Sequence, residues 1–256
     1  MELPPLTEEL FGQFERTGDR LEYEAVYFAR RKCLVILGLQ AVVDWRENRA
    51  VPKERLGRLS AVIEDVCRET CWALAELADR LGPVLPDHVR ALAAEQVERR
   101  VLEPFLSTPA PYGPWEGGAD NWNAVCAGCI GSAALHLLRG QPDRLRRCLE
   151  RVCASLVGYI GGFPSDGACL EGVTYYTYGM TYFVNFALEL YEHTGGKADL
   201  LRGGWGGFPA GGDDLRARIA RFLPKCFFPD GRSISFCPRK IRRIYSLFIA
   251  FFSKEV

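Results

Sequence analysis

The sequence predicts an all-α fold of successive helix pairs, with at most a short β remnant near the C-terminus. Three features of the 256 residues carry this expectation. Apolar side chains recur at helical spacing from about residue 21 to residue 223, Gly or Pro clusters close those runs, and the first strand-like alternation is PDGRSISF, Pro229 to Phe236.

Taken in order, Tyr23, Val26, Tyr27, Phe28, Leu34, Leu37 and Val42 predict one long helix from Leu21 to Val43, with Arg30-Arg31-Lys32 as its polar face. A second is expected after Pro52, a residue suited to a first helical turn, and its stripe runs through Leu56, Leu59, Ile63, Val66, Leu74 and Leu77 to Leu81. Gly82-Pro83 stops it. A third spans about Asp87 to Leu106, with Glu95, Glu98, Arg99 and Arg100 as a solvated face. Ser107 to Asp120 reads as a loop leading to a helix near Asn121, which Asp120 or Asn121 can cap. That helix ends before Gly140 and forms an αα-hairpin with a partner from about Pro142 to Tyr159, closed by Gly161-Gly162. After the turn Pro164-Ser165-Asp166-Gly167, another long helix is expected from Glu171 to His193. Eight glycines between Gly195 and Gly212 then predict an exposed loop, and a short helix, Leu215 to Leu223, completes the series. Residues 1–225 are thus expected as one helical domain, and 226–256 as the start of a β region with an atypical tail.

Composition narrows the function. The chain is 48% hydrophobic and 25% charged, as globular proteins are, and 32 basic residues balance 32 acidic ones. The balance removes the electrostatic footprint of a general nucleic-acid binder. Cys33, Cys67, Cys71, Cys148 and Cys153, half of the ten cysteines, fall in helical patterns among apolar neighbours, so they read as small core residues rather than a disulfide framework. The opening MELPPLTEEL lacks the basic tip and apolar run of a secretory signal, which predicts a reduced, cytoplasmic protein. Ile244 to Phe252 is about half the ~20 residues that a membrane-spanning helix needs.

Two clusters carry candidate chemistry. Glu171, Tyr175, Tyr178 and Tyr182 stand at i, i+4, i+7 and i+11, which on one helix puts a carboxylate and three phenols on one face. An aromatic core stripe with satisfied hydroxyls is the plain alternative. The second cluster is Asp120-Asn121-Trp122-Asn123 at a helix start. If alternating helices form an inner and an outer ring, the helices from Asn121 and Glu171 are consecutive inner ones whose first turns open on one rim. Amides, an indole and phenols gathered there are what a sugar cleft requires. Cys126 and Cys129 form a lone CxxC without further ligands at matching spacing, and His88, His136 and His193 are isolated, so no metal is expected. Phosphate-loop, dinucleotide and serine-hydrolase motifs are absent, and no cofactor is expected.

Several stretches together resemble the helical domain of the heparinase II/III family of polysaccharide lyases: Tyr23 to Lys32, VERRVLEPFL, DNWNAVCAGCIGSAALHLL, DGACLEGVTYYTYGMTYF and PDGRSISF. They span about residues 23–237, and the NWN and EGxxYxxYG pieces are the specific ones. The resemblance implies an incomplete (α/α) toroid, here cut short before the antiparallel β-sandwich that normally follows, and cleavage of acidic polysaccharide by β-elimination at a uronic acid. Asn121 or Asn123 would then meet the uronate carboxylate, Tyr175 or Tyr178 would transfer protons, and Trp122, Glu171 and Tyr182 would hold the sugar. Where such lyases often carry a histidine beside the asparagine, this chain has Trp122. Two rival functions use the same residues: a non-catalytic glycan-binding or scaffold protein, and a glycoside hydrolase with Asp166 and Glu171 as its carboxylate pair.

Overall fold

In the computed structural model the described residues are 3–19, 21–64, 71–202, 213–228, 232 and 234. Among them the regular structure is helical, and none of the helices is long and apolar enough to cross a membrane. The chain divides into two compact units, Met1–Pro104 and Phe105–Val256.

The first unit opens with α1, Glu8–Thr17, a helix the apolar spacing does not announce. Its start is capped by Thr7, whose hydroxyl accepts the Leu10 N–H at 3.3 Å. The long helix α2 is Leu21–Arg46, one turn longer than the spacing predicts. It buries Cys33, Leu34, Leu37, Gly38 and Ala41. Near its end Asp44, 5% exposed, accepts from Arg49 at 2.9 Å and pairs with Arg55 of the next helix, so a buried carboxylate fixes the α2–α3 corner. Of the expected Pro52–Leu81 helix the described stretches are α3 (Lys53–Glu64) and α4 (Cys71–Arg80); residues 65–70, Val66 included, lie outside the described ones. The third expected helix is α5 (Asp87–Val97), which passes through a π-helical turn at Glu98–Leu102 into α6 (Glu103–Ser107). In that turn the Glu103 N–H reaches the Glu98 carbonyl, five residues back.

The second unit is built on α7 (Asn121–Leu137), α8 (Pro142–Gly161) and α9 (Val173–His193). Fifteen of the 17 residues of α7 are buried, which makes it the central helix of its unit. Glycines set the close approaches. A Cβ at Gly128 would lie 2.8 Å from the Tyr182 carbonyl oxygen, and one at Gly131 would lie 2.3 Å from the Phe186 ring, while one at Gly179 would lie 3.1 Å from Asn121 Cβ. Ascending α7 from 121 through 128 to 131 therefore means ascending α9 from 179 through 182 to 186. The two helices run parallel, their first turns at the same end, with α8 returning antiparallel along α7 as the other arm of the αα-hairpin.

One expectation is corrected here. Glu171 lies in a turn and not in α9, because Gly172 takes a φ of 90° and the helix begins only at Val173. The final helical segment is two short helices, α10 (Asp213–Ala220) and α11 (Phe222–Lys225). The β remnant appears as two antiparallel backbone bonds in one register, Phe228 N–H to Arg232 O at 2.7 Å and Ile234 N–H to Cys226 O at 2.8 Å. Residues 203–212 of the glycine-rich loop and all of the basic and apolar tail after Cys237 lie outside the described residues.

Candidate functional site

Residues 108–120 lead from α6 to α7 as a loop, and one face of α8 holds it. Arg151, Ser155, Gly158 and Gly162 stand at i, i+4, i+7 and i+11. The Arg151 guanidinium donates to both carboxylate oxygens of Glu116 at 2.6 and 2.8 Å and to the carbonyls of Phe105 and Thr108 at 2.6 and 2.7 Å, and it stacks 4.3 Å above the Phe105 ring. Burial pushes the Glu116 carboxyl up; the Arg151 bonds and charge and the Tyr112 N–H outweigh it, so the group lies below its ordinary value. Ser155 Oγ accepts the Gly117 N–H at 2.8 Å. The absent side chains at Gly158 and Gly162 admit the backbone of Gly117 and Ala119, which a Cβ would approach to 2.2 and 2.7 Å.

The loop so held delivers Asp120 as the N-cap of α7, where its Oδ1 accepts the Trp122 N–H at 3.0 Å. The two remaining amides of the motif do different work. Asn123 is fully buried: its Nδ2 donates to Gly118 O and Ser155 O at 2.6 and 2.7 Å, and its Oδ1 accepts from Ser155 Oγ at 2.7 Å. This side chain was expected to meet a sugar, but its donors and acceptor are spent on the loop and α8, so it supports the rim from behind. Asn121, 3% exposed, gives both its backbone N–H and its Nδ2 to Glu171, at 2.8 and 2.6 Å. Glu171 thus closes the first turn of α7 from a residue that stands just ahead of α9.

Trp122, between the two asparagines in sequence, is 46% exposed. Of the phenols, Tyr175 and Tyr178 are half-buried, whereas Tyr182 is buried and meets Tyr178 edge-on at 5.2 Å. Tyr175 stands one turn before Gly179 on the same face of α9. Since Gly179 lies beside Asn121, that turn carries Tyr175 past the start of α7, toward the rim. The structure therefore brings Asn121, Glu171, Tyr175 and Tyr178 to one end of the α7–α9 pair. Tyr182 lies one turn deeper, as a packing partner of Tyr178.

Two further phenols escaped the spacing argument. Tyr176 is buried, donates to Ile219 O at 2.8 Å and packs on Phe222 at 5.2 Å, which joins α9 to α10 and α11. Tyr159 of α8 is 2% exposed, and its hydroxyl fills the notch at Gly179, 2.7 Å from where a Cβ would stand. Burial pushes this phenol up, and the nearby Cys169, Tyr176 and Glu171 push it the same way, so it stays protonated. Asp166, the other carboxylate of the hydrolase reading, closes its own turn by accepting the Ala168 N–H at 2.9 Å.

The histidines of the second unit stand toward the other end of α7 and α9. His136 is buried near the far end of α7, 3.7 Å from Glu189 of α9, His193 is the last residue of α9, and His88 belongs to the first unit. The eight described cysteines are thiols, Cys126 and Cys129 of α7 both buried. Among the described residues no three His, Cys, Asp or Glu side chains gather as metal ligands do.

No protein-family model and no curated protein matches this chain.

Proposed function

We propose that the rim formed by the first turns of α7 and α9 binds a uronic-acid polysaccharide and cleaves it by β-elimination, in the manner the resemblance to heparinase II/III lyases implies. What supports the reading is the Asn121–Glu171 bond, which joins the two motifs that carry the resemblance, the one holding the exposed Trp122 and the other the half-buried Tyr175 and Tyr178. The indole is a stacking face for a pyranose ring. An amide hydrogen bond to the uronate carboxylate favours loss of the C5 proton by spreading the charge that develops. One phenol, as phenolate, takes that proton, the C4–O bond breaks as the C4–C5 double bond forms, and a phenol hydroxyl protonates the departing oxygen. No water is consumed. An incomplete (α/α) toroid is the architecture proposed with it, and the parallel α7 and α9 are consistent with neighbouring inner helices of such a ring.

A second reading is a rim that binds glycan without turnover. It is favoured by the way Glu171 accepts the Asn121 amide hydrogen bond that a substrate carboxylate would need, and by the position of His136 and His193 toward the far ends of α7 and α9. A glycoside hydrolase is the weakest reading, because Asp166 is engaged with its own turn. The experiment that separates these is continuous absorbance in the near ultraviolet with uronic-acid polysaccharides as substrate. A rising signal that is lost in Tyr178→Phe supports elimination. Binding without any signal supports the second reading, and reducing ends formed without the chromophore support hydrolysis.

A further inference from the structure

In the first unit, α2 is apolar on the side that faces its neighbours and again on the side that faces away. Leu21, Ala25, Phe28, Lys32, Val35, Leu39, Val43 and Arg46 are its exposed positions at successive steps of three and four residues, a single stripe along the whole helix. Leu21, Phe28, Val35, Leu39 and Val43 are 65, 49, 57, 61 and 49% exposed. The helix spans 26 residues, so the stripe is roughly 39 Å long at 1.5 Å per residue. Helices that are apolar all round are ordinarily covered on both sides, and a continuous patch of this kind marks an interaction surface.

We propose that this stripe is a self-association surface on which a second copy of the chain packs its own α2 antiparallel, about a two-fold axis at Lys32. The spacing of the stripe is close to a palindrome about that residue, so Leu21 meets Val43, Ala25 meets Leu39 and Phe28 meets Val35 of the other copy. Charge selects the direction. The first turn of α2 is acidic, with Glu22 and Glu24, and its last turn holds Arg46. An antiparallel pair sets each acidic end beside the basic end of its partner and opposes the two helix dipoles, whereas a parallel pair sets like on like. The two Lys32 side chains emerge at the axis, where their long apolar stems cover the seam and their ammonium groups reach water. An isologous contact of this kind closes at two copies.

The test is sedimentation of the full chain at tens of micromolar, with far-ultraviolet dichroism to confirm the fold of each variant. The wild type is expected at about twice 28.7 kDa, and Val35→Glu/Leu39→Glu at 28.7 kDa with unchanged helix content. Under mild oxidation Lys32→Cys is expected to cross-link to its own copy across the axis. Leu39→Cys is not, because its two copies would stand about 21 Å apart, fourteen residues along the axis. A monomeric wild type, a dimer indifferent to the double substitution, or efficient self-linking of Leu39→Cys would each overturn the proposal. A monomer that instead sediments with phosphatidylcholine vesicles would overturn it in favour of a lipid surface.

Discussion

Glu171 and Asn121, fifty residues apart in sequence, are joined twice: one carboxylate oxygen takes the Asn121 backbone N–H at 2.8 Å and the other takes its side-chain amide at 2.6 Å. An acid at this place also opposes the positive end of the α7 dipole. Replacing Glu171 by Ala leaves a buried amide and an orphan helix N–H, and is expected to cost roughly 1–3 kcal/mol. Glu171→Gln, which keeps one acceptor, is expected to lose less. Urea unfolding of both variants checks this; equal stability of Glu171→Ala and wild type would show that the bonds do not hold the rim.

The buried Asn123–Ser155 pair is expected to behave as one unit. Ser155→Ala leaves Asn123 Oδ1 and Gly117 N–H without their partner, and Asn123→Ala strips Gly118 O and Ser155 of theirs, so each should cost about 1–3 kcal/mol. The double variant should cost clearly less than the sum, which a double-mutant cycle in urea measures. Strict additivity would contradict a shared network.

Glycines offer a test in which two effects compete. Alanine is favoured over glycine inside a helix by about 1 kcal/mol. At Gly158 its Cβ would stand 2.2 Å from the Gly117 carbonyl oxygen, and at Gly161, three residues on, it would meet nothing within 4 Å. Gly158→Ala is therefore expected to destabilise by roughly 1–3 kcal/mol, the overpacking range. Gly161→Ala should be neutral or stabilising, and a thermal melt of the pair decides whether the close approach of loop and helix is real.

The Arg151–Glu116 clasp carries a pH signature. Because the folded protein holds Glu116 below its ordinary value of 4.5, the clasp contributes fully above that pH, and its contribution is lost as pH falls through the lowered folded value. Urea midpoints from neutral pH down to about pH 3 should therefore fall more steeply in wild type than in Glu116→Gln. Arg151→Lys is expected to destabilise as well, since an ammonium cannot bridge two carboxylate oxygens and two carbonyls in one plane. Parallel pH profiles for wild type and Glu116→Gln would contradict this assignment.

Most of the helices were legible because their apolar residues repeat and their ends carry Pro, Asp or paired Gly. The same residues also placed Asn121 and Glu171 near one rim, although by a helical register that Glu171 does not share; the departure begins at Gly172, whose positive φ no periodicity announces. The work of α8 was hidden for a related reason. Arg151 and Ser155 look like surface residues and Gly158 like a weak point, and only the loop packed against them shows that they form one face. Spacing likewise could not tell the half-buried Tyr175 and Tyr178 from the buried Tyr182 and Tyr176, because a phenol suits core and rim alike. An amide type also does not reveal whether its partners are backbone carbonyls, as those of Asn123 are, or a ligand.

Calorimetric titration of wild type and Trp122→Ala with a uronic-acid oligosaccharide tests whether the end of the α7–α9 pair is a carbohydrate rim. Trp122 is among the exposed large apolar residues, so its loss should leave the thermal transition in place. Saturable binding is expected of wild type, and binding at least about tenfold weaker of Trp122→Ala, a difference of about 1.4 kcal/mol. No binding by wild type, or equal binding by both proteins, would contradict a carbohydrate rim.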